Sequence, residues 1–179
     1  MPGKPSAKTK ILHAAALVVD RAGAAHLTID AVAEKAALSK GGVLYHFPSK
    51  RAMLEGMVQH VVQRTRERVA SHRMEIGDGA NPTVRSLIMA FQEQDDQERA
   101  MSLAILAAAA ENPTLLDPIR EVIVGWFADV EDEDPLGVTL LLATEGIRFL
   151  DMLNLLPANS GERSQYLTSL LSMAETGRL

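Results

Sequence analysis

The stretch from Leu27 to Lys50 constrains the fold of this chain most strongly, because it holds two helix start signals a short distance apart. Thr28 precedes an apolar run with helical spacing, and a threonine in that place can cap a first helix. Ser39 can cap a second helix over 40–46, and Pro48 closes it, since the residue before a proline disfavours the helical backbone. The pattern predicts two short helices joined by a tight turn.

Two helices joined by a short turn form a helix-turn-helix, whose second helix can enter the major groove of DNA. The tip of the second helix suits this use. Lys40 is cationic, and Gly41 and Gly42 carry no side chains, so the backbone can approach a base edge or a phosphate. Hydrogen-bond donors follow at the height of the phosphates, namely Tyr45, His46 and Lys50. By spacing alone, an ordinary helical hairpin with a solvated lysine explains the pattern equally well, because two glycines make a poor helix.

A longer run carries a resemblance to a known family. The run TIDAVAEKAALSKGGVLYHFPSKRAML, which begins at Thr28, resembles the DNA-binding domain of the TetR family of bacterial transcriptional repressors. The resemblance covers roughly residues 8 to 60, and its SKGxxxYHFPSK string combines fixed residue types with fixed spacing. It implies an all-α fold of about nine helices, with a three-helix DNA-binding domain followed by a helical domain for ligand binding and dimerisation.

The resemblance also assigns roles to single residues. It implies that the DNA backbone is contacted by Thr28, Ser39, Tyr45, His46 and Lys50, and that the bases are faced by Lys40, Gly41 and Gly42. One position departs from the family pattern. Many members carry a phosphate-contacting tyrosine at the position of Leu44, and here the tyrosine comes one residue later. Tyr45 is therefore expected either to reach the phosphate from the neighbouring helix face or to pack beside Phe47.

Charge is divided unequally along the chain. Residues 1–73 hold 12 Lys and Arg against 5 Asp and Glu, whereas residues 74–179 hold 6 Arg against 18 Asp and Glu. All six lysines lie in the first part, although the whole chain has a net charge of −5. A basic module joined to an acidic one is typical of a protein that touches nucleic acid at one end. Chance asymmetry is the alternative.

Composition disfavours several other classes of protein. The chain has no cysteine, so it forms no disulfide, and a reducing cytoplasm is the expected location. The basic N-terminal segment lacks the apolar core of a signal peptide, and no run approaches the ~20 apolar residues of a membrane span. Residues 74–179 contain no lysine, histidine or cysteine, which leaves few general bases or nucleophiles for an enzyme. We expect no cofactor, and we interpret the acidic run 131–134 as a solvated turn and not a metal site.

Two long helices frame the domain organisation. A first helix is predicted over 4–22, with Gly23 as its stop. Three lysines, at 4, 8 and 10, lie ahead of its apolar face or on its polar side. We interpret them as a solvated tail, with a phosphate or minor-groove arm as the alternative. Ser49 can cap a helix that runs to about Met74, and the resemblance implies that this helix carries a ligand signal to the DNA-binding heads. We predict a DNA-binding domain over 1–48 and a helical effector-binding and dimerisation domain over 49–179.

Two local pairings are predicted in the second domain. Asn81 before Pro82 is a helix start signal, with Asn81 as the cap and proline in the first helical position. Arg148 and Asp151 lie three residues apart in an apolar helix and can pair along it.

The second domain also holds two predicted functional surfaces. An apolar pocket would suit a small hydrophobic effector, with plain core packing as the alternative for each of its residues, namely Leu87, Phe91, Met101, Leu103, Leu106, Trp126 and Phe127. The last two helices carry more apolar surface than one small protomer needs. They predict a four-helix dimer interface, with packing inside the protomer as the alternative, built from Leu140, Ile147, Leu150, Tyr166, Leu167, Leu170 and Leu171.

Together these features predict a DNA-binding transcriptional regulator, and the family resemblance favours a repressor. It would bind a palindromic operator as a homodimer, with half-sites ~34–36 Å apart, and leave it when a small hydrophobic effector binds. The alternative is an architectural or partner-binding DNA-binding protein that has no effector.

Overall fold

The computed structural model describes residues 6–133, 135–156 and 160–177, and within these ranges the chain is α-helical with no strand. This confirms the all-α class and the expected number of helices. Two short 3₁₀ helices, Ala24–His26 and Pro113–Leu116, interrupt the α-helices. The α-helices are α1 (Ala7–Ala22), α2 (Ile29–Ala36), α3 (Lys40–His46), α4 (Lys50–Ile76), α5 (Pro82–Gln92), α6 (Asp96–Ala109), α7 (Asp117–Glu133), α8 (Pro135–Met152) and α9 (Ser160–Thr176). Across the described ranges, none of these helices is both long and apolar enough to cross a membrane.

The chain packs as two compact units, and each unit combines two segments. The first unit is Met1–Val61 with Asp95–Pro118, and the second is Val62–Gln94 with Ile119–Leu179. Helix α4 therefore contributes residues to both units. The predicted boundary between residues 48 and 49 separates two functions, and it stays a prediction.

In the first unit, α1 packs against α2 and α6, and α2 packs against α3. Helix α6 lies outside the helix-turn-helix in sequence, yet it belongs to this unit. Its buried face is rich in alanine, which lets two helices approach closely, and it also carries Met101 and Ile105. The fully buried large side chains of this unit are Ile11, Leu12, Leu27, Val32, Met53, Met57, Met101 and Ile105.

In the second unit, α5, α8 and α9 pack pairwise against one another. One core cluster contains Val84, Leu87, Val130, Leu140, Leu141 and Ala174. A second, smaller cluster contains Ile88, Phe91 and Leu167. Aromatic side chains from α7, Trp126 and Phe127, pack against the first cluster while remaining partly exposed.

The start of the chain differs from the expected tail. Lys8 and Lys10 lie within α1, because Ser6 caps that helix and accepts a hydrogen bond from the Thr9 N–H at 3.1 Å. Both lysines are exposed, as expected, and they lie within the predicted first helix, so only their interpretation as part of a tail was wrong. Lys4 lies outside the described residues.

Two pairings in the second unit also differ from prediction. Helix α5 begins at Pro82, but the Asn81 side chain does not cap it, and instead its Nδ2 donates to the carbonyl of Ala174 at 3.0 Å. Arg148 binds Glu145, one turn earlier on α8. The carboxylate of Asp151 lies 3.6 Å from the Arg163 guanidinium of α9. Asn81 and Asp151 thus find partners on α9, whereas Arg148 finds its partner on its own helix.

Candidate nucleic-acid interface

Two hydroxyl caps set the geometry of the helix-turn-helix. The Ala31 N–H donates to Thr28 Oγ1 at 3.1 Å, and the Gly42 N–H donates to Ser39 Oγ at 3.1 Å. Between the helices, Ala37 adopts the left-handed conformation with φ of 50°, which ends α2 and turns the chain. The predicted bounds of the second helix, 40–46, agree with α3. Each capping hydroxyl accepts one bond from the backbone, and its own O–H remains able to donate to a phosphate.

The tip of α3 is exposed at Gly41. A Cβ added there would meet no neighbouring atom of the described residues within 4 Å, whereas a Cβ at Gly42 would lie 3.3 Å from Ser39 Oγ. Tyr45 is 86% exposed, and its ring lies edge-on against His46 with centroids 5.1 Å apart. Phe47 is buried. Of the two alternatives for Tyr45, the exposure favours contact with a phosphate over packing beside Phe47.

The two lysines of the interface differ in their partners. Lys40 Nζ lies 2.9 Å from Asp30 Oδ2, and both side chains are largely exposed. Lys50 Nζ donates to the carbonyl of Ala24 at 2.7 Å in a partly buried position. An ammonium group has three donors, so each lysine keeps further donors for DNA. All eight predicted DNA-contact residues belong to the first unit, where they cap α2 and α3, lie on α3 or begin α4.

The predicted pocket residues divide between the two units. Met101, Leu103 and Leu106 belong to the first unit, and Leu87, Phe91, Trp126 and Phe127 belong to the second. Within the second unit, Leu87, Trp126 and Phe127 share one apolar cluster, and Phe91 lies in the other. The structure therefore does not gather the seven side chains within either unit.

An open cleft that the sequence did not predict lies in the second unit, with a volume of about 490 Å³. One face of α4 lines it with Arg66, Val69, Ala70 and Arg73, and α7 contributes Trp126, Asp129 and Asp132. Arg73 Nη1 donates to Thr83 Oγ1, another lining residue, at 2.9 Å. The available signal was the spacing of the α4 residues at i, i+3, i+4 and i+7, which marks one side of a helix. Of the seven predicted pocket residues, Trp126 is the one that lines this cleft.

The predicted dimer residues also separate into two groups. Leu140 and Leu167 are buried in the core of the second unit, so the structure corrects their assignment to an interface. Leu150 and Tyr166 are exposed, and Ile147, Leu170 and Leu171 are partly exposed. The sequence missed a stripe along α8, where Leu142 is 57% and Phe149 is 48% exposed and Gly146 faces open space. Whether a given leucine of α8 is buried or exposed depends on which other helices pack against that side of α8.

A capped helix-turn-helix followed in sequence by further helices is typical of DNA-binding transcriptional regulators. Residues 11–57 match the family model of bacterial regulatory proteins of the tetR family. Residues 81–175, more than half of the chain, match the model of the tetracyclin repressor-like C-terminal domain. The chain belongs to the TetR family of transcriptional regulators, which is not a class of enzymes.

Two curated relatives are similar over part of their length. The HTH-type transcriptional regulator BetI of Stenotrophomonas maltophilia is 28% identical over 121 residues, which are 64% of this chain and 62% of that protein. BetI of Burkholderia thailandensis is 27% identical over 111 residues, 60% of this chain and 57% of that protein. The matched region thus spans about three fifths of the length of these relatives.

Solved structures share the fold over nearly the whole chain. A transcriptional regulator of Rhodococcus sp. Rha1 has a TM-score of 0.70 at 17% identity, covering 96% of this chain and 97% of the other. The fatty acid degradation regulator FadR of Bacillus halodurans has a TM-score of 0.67 at 12% identity, covering 97% and 96%. The multidrug binding protein EbrR, complexed with malachite green, has a TM-score of 0.66 at 22% identity, covering 95% and 99%.

Proposed function

We propose that this protein is a transcriptional repressor that binds a palindromic operator as a homodimer and leaves it when a small effector binds. The observation that carries the proposal is the exposed tip of α3. Lys40 is exposed there, a Cβ added at the neighbouring Gly41 would meet no atom within 4 Å, and Tyr45 is 86% exposed. Since few side chains there can reach base edges, specificity rests on Lys40 together with backbone contacts and DNA shape.

The homodimer is supported by the exposed apolar stripe on α8. Leu142, Phe149 and Leu150 are exposed, and Gly146 between them leaves room for a second helix to approach closely. An apolar face that the protomer does not cover is typical of a protein-protein interface. A twofold dimer would present two α3 helices to adjacent major grooves, half-sites ~34–36 Å apart.

The effector is proposed to bind in the cleft between α4 and α7. Its volume of about 490 Å³ suits a small molecule. Val69, Ala70 and Trp126 offer apolar contact, whereas arginines on α4 and aspartates on α7 offer charge. The effector we propose is therefore amphiphilic, which revises the expectation of a small hydrophobic effector. Because α4 contributes residues to both units, a ligand that binds one state of this helix more tightly would change DNA affinity by linkage.

The DNA target sets the proposed location. A bacterial regulator that binds chromosomal DNA acts in the cytoplasm, and the lack of cysteine suits a reducing compartment. We place the protein there on these grounds.

Selection of bound sequences from random double-stranded DNA tests the proposal directly. We expect an enriched palindrome whose half-site spacing gives the geometry of the dimer. On that operator and on scrambled DNA, fluorescence anisotropy then compares two variants. Lys40→Ala should weaken operator binding more than scrambled binding, because Lys40 faces the bases. Lys50→Ala should weaken binding to both DNAs alike. Equal losses for both variants on both DNAs would contradict the assigned roles.

A thermal-shift screen with small amphiphilic and hydrophobic molecules tests the effector. We expect a stabilising ligand that also lowers operator affinity, and Trp126→Ala should abolish its effect. If no molecule stabilises the protein, the effector-free architectural role becomes the better interpretation.

A further inference from the structure

The lysine at the tip of α3 is held by a carboxylate from the preceding helix. Lys40 Nζ lies 2.9 Å from Asp30 Oδ2 while 60% and 69% of the two side chains remain exposed. The backbones that carry these residues are fixed by the hydroxyl caps of α2 and α3. The ammonium group is therefore held near the start of α2 in the DNA-free protein.

An unrestrained lysine at this position would have two kinds of acceptor on DNA. Phosphate oxygens are charged and occur on every sequence, whereas the O6 and N7 atoms of guanine mark a particular base. Gly41 and Gly42, which follow Lys40, carry no side chains, so neither residue restricts where the ammonium group can go. Asp30 supplies such a restriction. If the Lys40 ammonium group left this carboxylate for a phosphate, it would exchange one anion for another and gain little interaction energy.

We infer that Asp30 is a positioning residue for base recognition, which keeps Lys40 off the phosphates and directs its free donors to a base edge. The inference rests on the proposed role of Lys40 as the base-reading residue. One of the three ammonium donors stays on Asp30, and the other two are available for a guanine edge. The carboxylate also repels phosphates of any sequence. That repulsion lowers affinity for all DNA alike. The ratio of operator to non-specific affinity rises for the other reason, because Lys40 is kept from the phosphates of non-specific DNA.

Asp30→Asn tests this with operator DNA from the selection and with scrambled DNA, each titrated over a range of salt. We expect the ratio of operator to scrambled affinity to fall about threefold to fivefold, the upper part of the range for an exposed ion pair. We also expect log affinity for scrambled DNA to fall more steeply with log salt, by a slope of about 0.9, because Lys40 gains a phosphate contact. A purely structural role of Asp30 would not change that slope.

Three further variants separate the inference from other effects. Glu34→Gln removes a carboxylate from the same helix, and Glu34 is exposed, so this variant should raise affinity for both DNAs without changing their ratio. Asp30→Glu keeps the charge and should keep the wild-type ratio. Asp30→Asn combined with Lys40→Ala should give the same ratio as Lys40→Ala alone. Circular dichroism should show each variant folded, since the Thr28 cap of α2 is retained.

Several outcomes would overturn the inference. It fails if Asp30→Asn leaves both the ratio and the salt slope unchanged, or if Asp30→Asn changes the ratio to the same extent in the Lys40→Ala background. In either case, if the wild-type protein still prefers the operator over scrambled DNA, the proposed function stands although the inference about Asp30 fails. A wild-type chain that prefers no sequence overturns the proposed function and this inference together.

Discussion

At the scale of the residue, the first unit depends on a close contact between a glycine and an aromatic ring. A Cβ added at Gly56 of α4 would lie 2.5 Å from Phe47 Cε1, and Phe47 is buried. The ring follows Lys40–His46 directly, so it joins the end of α3 to the first turns of α4. Glycine is a poor helix former, but at this position any Cβ would require the buried Phe47 ring to shift.

Gly56→Ala should destabilise the protein by about 1–2 kcal/mol, since the ring must move in a packed core. Gly125→Ala on α7 is the matched control. An added Cβ there meets nothing within 4 Å, so its better helix propensity should stabilise the protein by about 0.5–1 kcal/mol. Urea unfolding followed by circular dichroism measures both. Stabilisation by Gly56→Ala would show that the Phe47 contact is not a constraint.

We expect Lys50 to stabilise the folded protein as well as to contact DNA. Lys50→Ala removes the donor to the Ala24 carbonyl and should cost about 1–1.5 kcal/mol of stability, as expected for a partly buried hydrogen bond. Lys35→Ala is the control, because Lys35 is an exposed lysine of α2, and its effect should stay within about 0.5 kcal/mol. Thermal unfolding in the absence of DNA distinguishes the two. Equal thermal unfolding midpoints for the two variants would contradict a structural role of Lys50.

At the scale of the element, the second unit ties the start of α5 to the end of α9. The buried Asn81 takes the left-handed conformation with φ of 45°, and its Nδ2 donates to the Ala174 carbonyl at 3.0 Å. This bond joins residues 93 positions apart in the chain. Asparagine suits the site because it tolerates the left-handed region and supplies a side-chain donor.

Asn81→Asp keeps the size and the backbone preference but removes the donor, and it places a carboxylate in a buried position. It should destabilise the protein by roughly 2–4 kcal/mol. Asn154→Asp is the control, because Asn154 is also left-handed, with φ of 55°, but is exposed. Its effect should be small. Thermal unfolding at pH 7 compares the two variants, and similar midpoints would mean that the bond to Ala174 contributes little.

At the scale of the whole molecule, the exposed stripe on α8 is proposed to decide the oligomeric state. Its members Leu142, Phe149 and Leu150 follow one another at helical spacing on one side of α8. Apolar surface of this kind is costly in water, and a second copy would remove it from solvent.

Leu142→Asp with Phe149→Asp should convert the dimer to a monomer, because two charges would be buried in an apolar interface. Operator affinity should fall more than about tenfold, since the two heads would no longer bind as one linked pair. Val124→Asp on α7 is the control, because Val124 is also a 62% exposed apolar residue. Sedimentation equilibrium measures the mass of each variant. A wild-type monomer, or an unchanged mass in the double variant, would contradict the proposed interface.

The sequence by itself determined the features that depend on neighbours in the chain. The caps at Thr28, Ser39 and Ser49 and the bounds of α3 follow from residues within one turn, because a helix begins where a nearby hydroxyl accepts a free N–H. The family resemblance rested on the string at 39–50, and that resemblance in turn implied the all-α class.

Only the tertiary structure decided which distant residues meet. It pairs Lys40 with Asp30, bonds Asn81 to Ala174 and places α6 in the first unit. It also buries Leu140 and exposes Leu142, although both are leucines of the same apolar helix. Such choices depend on how whole faces pack together, where many small differences in burial and hydrogen bonding add up, and the spacing of residues along one helix does not contain them.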